Sequence, residues 1–135
     1  MQPLMQQYLV VGLGGALGSM LRFGIGTFID NTVQKTVFPW GTIVVNITGC
    51  FIIGFIATIS STEGRWMIPT LWRTFIMIGI LGGYTTFSSF TLQTLTLAQA
   101  GQLGGAVANV LISVVLCLAG VWLGALLAGW INQMR

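Results

Sequence analysis

The stretch 79-GILGGYTTFSSFTLQT-94 crowds glycines, hydroxyls and aromatic rings into an apolar part of the chain. Phe87 and Phe90 are three residues apart, so on a helix they share a face, with Ser88, Ser89, Thr91 and Thr94 beside them. The edge of a phenyl ring is electropositive and a hydroxyl donates a hydrogen bond. Together they can replace the hydration of a small anion while offering nothing to a cation. Phe pairs at this spacing also simply pack. Thr42 and Asn46, four apart, form a polar stripe on a segment otherwise built of Ile, Val, Gly and Phe. An Asn there either hydrogen-bonds a neighbouring helix or faces the same path as the rings. Arg22 is a cation within an apolar segment, which marks either a functional site or a side chain reaching back to the interface.

The glycines raise a backbone question. Each of Gly79, Gly82 and Gly83 costs a helix roughly 1 kcal/mol against alanine. Gly82-Gly83 followed by Thr85-Thr86 reads as a helix C-terminus joined to a new N-cap, which predicts an interrupted helix. An interruption in a membrane frees carbonyl and N–H groups that something must satisfy. A cation held by the carbonyls and an anion near the positive end of the next half-helix are the two natural satisfiers. The alternative is an unbroken helix whose glycines allow close contact and whose threonines bond back to carbonyls.

These residues need a scaffold, and composition points to a bilayer. Of 135 residues, 55% are hydrophobic and 5% charged, where a soluble domain carries about a quarter charged. Histidine is absent, the two acids Asp30 and Glu63 fall in connecting stretches, and Cys50 and Cys117 are distant in sequence with no metal-ligand spacing. The cysteines read as small buried hydrophobes rather than a disulfide. Hydrolytic, redox and metal-dependent enzymes are therefore unsupported. The net charge of +3 is spread over single cations, not a stripe, so it is no nucleic-acid footprint.

Apolar runs of about 20 residues, the length a membrane helix needs, occur four times. They fall near residues 4–29, 40–60, 71–98 and 104–131, a single four-span membrane domain over 1–135. The first does not read as a cleaved signal, because it has no basic leader and continues past Arg22. Trp40, Trp66, Trp72 and Trp130 stand near span ends, as an interfacial belt requires. With an even span number, one side collects Arg65, Arg73 and Arg135, and the other Lys35 and Arg22. So weak a bias lets a chain insert both ways round and makes an antiparallel homodimer possible, beside a parallel oligomer with cytoplasmic termini. Gly14 with Gly18, and Gly120 with Gly124, have the spacing that lets helices approach closely.

The segments GGALGSMLRF (14–23), PWGTIVVNITGCFIIGF (39–55) and GILGGYTTFSSF (79–90), in that order and in separate spans, resemble the Fluc (CrcB-type) fluoride channels of bacteria. The likeness extends over all four spans. It implies an all-α membrane protein whose third helix is broken, assembled as an antiparallel, dual-topology homodimer with two pores in the bacterial inner membrane. It implies passive export of fluoride that protects the cell. A structural sodium ion at the dimer centre would be held by backbone carbonyls of Gly82 and Thr85. The family's ring pair corresponds to Phe87 and Phe90, its pore asparagine to Asn46 and its first-span arginine to Arg22. Ser88, Ser89 and Thr42 would add hydroxyls along the path. Many relatives carry a glutamate three residues after the second phenylalanine, where this chain has Gln93. The fourth span offers Asn109 and Ser113 as its polar side chains before Asn132, and no site there is carried over.

Two other classes compete. A small multidrug transporter also has four spans but needs an acid within them to exchange protons. A non-conducting assembly subunit would use the small-residue faces and has no need of a polar, aromatic stripe.

Overall fold

The computed structural model describes residues 4–33, 37–61, 64 and 66–134. Every regular element among them is helical: α1 (Leu4–Thr32), α2 (Trp40–Ile59), α3 (Thr70–Thr74), a π-helical segment (Phe75–Leu81), α4 (Gly82–Tyr84), α5 (Phe87–Gln99) and α6 (Leu103–Gln133). Four stretches are long and apolar enough to cross a bilayer: Leu4–Thr32, Trp40–Ile59, Thr70–Gln99 and Leu103–Gln133. Each agrees with the sequence reading to within three residues. Lys35, Glu63, Arg65 and Arg135, on which the charge comparison partly rests, lie outside the described residues.

Close backbone approach holds the bundle together. α2 packs most extensively against α6, and α1 against the π-helical segment and α4. A methyl group at Gly54 would overlap the Val121 carbonyl, and one at Gly124 the Phe51 carbonyl. On the other side, a methyl at Gly14 would stand 2.7 Å from the Phe75 carbonyl, and one at Gly18 would overlap that of Ile80. Small residues thus do what lipid, which removes the hydrophobic drive between helices, makes necessary. Ile43, Val45, Ile59 and Leu97 fill the small interior, while Trp40, Trp66, Trp72, Trp130 and many aliphatic side chains face outward.

Local signals set the turns. The α5–α6 connection is a Schellman turn: Gln102 N–H donates to the Leu97 carbonyl at 2.9 Å, Gly101 N–H donates to that of Ala98 at 3.0 Å, and Gly101 takes φ 76°. The start of α2 is served by Asp30, whose Oδ1 accepts from Gly41 N–H at 2.7 Å. Asp30 is therefore not in a connecting stretch, as the sequence suggested. α1 runs on to Thr32, and the carboxylate at its end meets the positive end of α2.

The stretch Thr70–Gln99 departs from the sequence reading in a second respect. Gly82 is helical, with φ −65° and ψ −36°, so the glycine pair does not end a helix. Gly79 and Gly83 instead lie against the backbone of α1 at Gly14 and Gly15. The residues that leave helical geometry are the threonines: Thr85 has ψ 156° and Thr86 has φ −150°, ψ 119°. Thr85 still bonds back through Oγ1 to the Leu81 carbonyl at 2.9 Å.

Candidate functional site

The two extended residues are pinned from α2. Asn46 Oδ1 accepts from Thr86 N–H at 2.8 Å, and Asn46 Nδ2 donates to the Thr86 carbonyl at 3.0 Å. One side chain thus satisfies both main-chain groups of a residue that neither flanking helix serves, as a low-dielectric setting demands. Thr86 in turn caps α5: its Oγ1 accepts from Ser89 N–H at 3.2 Å and donates to Ser89 Oγ at 3.1 Å, with Ser88 Oγ 3.2 Å away. Close by, Tyr84 OH and Thr48 Oγ1 are 2.9 Å apart, and Gly49 leaves room for the Thr85 methyl.

This arrangement takes helical donors from the carbonyls at the step, those of Gly82 and Thr85 among them. In a continuous helix the Gly82 carbonyl would accept from Thr86 N–H, which here turns to Asn46. The Thr85 carbonyl would accept from Ser89 N–H, which here turns to the Thr86 hydroxyl. Gly82 is exposed, and both residues border one cavity. Main-chain oxygens relieved of their helical donors are the ligand type a hard cation takes, so the residues present fit such an ion.

Two cavities meet at the start of α5. The larger, about 410 Å³, is mostly apolar and is bordered by Asn46, Gly82, Thr85, Phe87, Phe90 and Ser113 among others. The smaller, about 300 Å³, is more polar, and among its lining residues are Ser19, Arg22, Asp30, Thr42, Ser89 and Gln93. Thr86 borders both. The rings of Phe87 and Phe90 are 5.3 Å apart at 52°, Phe90 7% exposed and Phe87 74%. One ring is seated in the protein and the other stands out from it.

The structure therefore brings Arg22, Thr42 and Ser89 to one cavity and Asn46, Phe87, Phe90, Gly82 and Thr85 to the other. Ser88 lines neither and touches the group through Thr86. Asn46 spends its oxygen and one N–H on Thr86, which leaves its second amide hydrogen for other use. Sequence reasoning missed Thr86 as the residue between the cavities, because its role depends on an asparagine 40 positions away. It also assigned nothing to Gln93, whose Oε1 is buried without a partner among the described residues. On the fourth span, Asn109 is wholly buried and forms a polar ladder: its Nδ2 donates to Thr94 Oγ1 at 2.8 Å, and Ser113 Oγ donates to its Oδ1 at 3.4 Å. The pairing of Asn109 with Thr94 is the signal that a span-by-span reading does not contain.

An all-helical, four-span membrane protein with polar and aromatic side chains converging at a non-helical step is the class that fold and site define. The family model described as CrcB-like protein, Camphor Resistance (CrcB), matches residues 9–125. A fluoride-specific ion channel FluC of Rhodospirillum rubrum is 56% identical over 126 residues, covering 93% of this chain and 97% of its own. Proteins of the same description from Opitutus terrae and Paramagnetospirillum magneticum are each 50% identical, over 97% and 96% of this chain and 98% and 100% of theirs. The chain belongs to the CrcB family.

Proposed function

We propose that this protein is a fluoride channel that exports the ion passively down its electrochemical gradient in the bacterial inner membrane and so protects the cell. The observation that carries the reading is the double hydrogen bond from Asn46 to Thr86, which fixes the start of α5 with its rings and hydroxyls against two cavities. The ion's identity is taken from the relatives, whose name specifies fluoride.

Fluoride is small and strongly hydrated, so a path must replace its water and still release it. Arg22, Thr42 and Ser89 supply charge and hydroxyl donors at the polar cavity, and Ser88 adds a hydroxyl beside Thr86. The edges of Phe87 and Phe90 and the free amide hydrogen of Asn46 serve the ion on the other side of Thr86. None of these groups binds an anion through a full opposite charge except Arg22, which keeps the ion mobile.

The working unit in this reading is an antiparallel homodimer with two pores. A ring exposed as fully as Phe87 cannot border an aqueous path while facing lipid, so a second copy must supply the missing wall. The step at Thr85–Thr86 is then a break in the third transmembrane helix that opens toward that copy. The carbonyls of Gly82 and Thr85 would hold a structural sodium ion, whose chemistry is to neutralise main-chain oxygens left without donors. A proton-coupled multidrug exchanger is less well supported: Asp30 lies at the end of α1, and its Oδ1 is engaged with Gly41 N–H.

The test is efflux from liposomes read with fluoride and chloride electrodes. Fluoride is expected to leave at least about 100-fold faster than chloride, since the wrong ion leaves paired donors unmatched, and without any imposed proton gradient. Equal rates, or no flux of either ion, would overturn the reading.

A further inference from the structure

Cys50 and Cys117, which the sequence presents as two unrelated small hydrophobes, are neighbours in the fold. Cys50 lies on α2 and Cys117 on α6, the most extensively packed pair of helices. Gly120, one turn beyond Cys117, faces Cys50 so closely that a methyl there would be 3.8 Å from the Cys50 Cβ. The two thiols are within interaction range of each other, and neither is in a disulfide. Both are half-buried, and both border the 410 Å³ cavity that Asn46, Phe87 and Phe90 share.

We propose that Cys50 and Cys117 form a two-thiolate site for a soft divalent metal ion that prefers linear coordination, of which Hg(II) is the type. Sulfur selects soft metals. No third His, Cys, Asp or Glu joins them among the described residues, and the further sulfur on the cavity is the neutral thioether of Met77, which adds no charge. That rules against Zn(II), which wants four ligands. Charge decides between the remaining soft ions. Two thiolates around Hg(II) make a neutral unit, whereas around Cu(I) or Ag(I) they leave a net negative charge that an apolar cavity penalises. On binding, two S–H bonds break, two S–Hg bonds form and two protons pass to water, with no electron transferred. Mercuric chloride is itself uncharged, so lipid is no barrier to its arrival.

The test is a thiol count on the intact protein in detergent, titrated with mercuric chloride and followed by mercury–thiolate ultraviolet absorbance and an aromatic disulfide reagent. Both thiols are expected to disappear together at one mercury per chain. A requirement for two mercury ions per chain, or thiols that never react, would overturn the proposal. Cys50→Ala and Cys117→Ala each keep one thiol and should surrender mercury to a competing monothiol at roughly 100-fold lower concentration, the loss expected when an intramolecular second ligand is removed. Retention equal to the parent in either variant would also overturn it. The count needs no ion flux, so it stands or falls separately from the channel reading.

Discussion

At the scale of the residue, a few groups each do several tasks. Asn46 satisfies both main-chain groups of Thr86, so Asn46→Ala leaves a buried N–H and carbonyl unpaired, a loss of about 1–3 kcal/mol by the usual cost of an orphaned polar group. Thermal unfolding in detergent should show the drop, and a melting point equal to the parent would refute the clamp. Phe87→Ile and Phe90→Ile remove the ring edges but keep apolar bulk. Each is expected to abolish fluoride efflux while gel filtration still shows a folded assembly, and undiminished efflux would reduce the rings to packing. Much of this set was legible from the types and spacing in GGYTTFSSF. What was not legible is that the non-helical geometry belongs to Thr85 and Thr86 while Gly82 stays helical. Propensity charges glycine for helix, but contact with α1 at Gly79 and Gly83 and the reach of Asn46 decide the geometry, and neither is local.

At the scale of the element, glycines separate into those that touch and those that do not. Gly18→Ala, Gly54→Ala and Gly124→Ala each drive a methyl into a carbonyl of a neighbouring helix and should destabilise the fold by about 1–3 kcal/mol, as overpacking does. Gly12→Ala meets nothing within 4 Å and should leave stability unchanged or raise it by up to about 1 kcal/mol. Melting curves of the four variants check the contrast, and four equal shifts would contradict it. The spacing of Gly14 with Gly18 and of Gly120 with Gly124 announced tight packing without naming partners. The π-helical turn at Phe75–Leu81 had no such sign, since FIMIGIL reads as ordinary apolar helix. Asp30 was read as loop because the polar DNTVQK follows, whereas the helix it ends carries the cap for α2. Asp30→Ala is expected to cost about 1 kcal/mol, the worth of a lost cap, seen in the same melts.

At the scale of the whole molecule, four apolar spans were plain from composition, and the assembly was not, because a partner surface leaves no periodic trace in a single chain. The dual-topology reading predicts that Ala100→Cys, on the exposed α5–α6 turn and combined with Cys50→Ala and Cys117→Ala, reacts with a membrane-impermeant maleimide in about half of the copies, the rest reacting only after permeabilisation. Labelling of every copy from one side would refute opposite insertion. The channel claim itself is tested most directly in planar bilayers with unequal fluoride on the two sides. The current is predicted to reverse at the fluoride Nernst potential whatever the chloride or pH gradient. A reversal potential that follows protons or chloride, or the absence of any current, would contradict it.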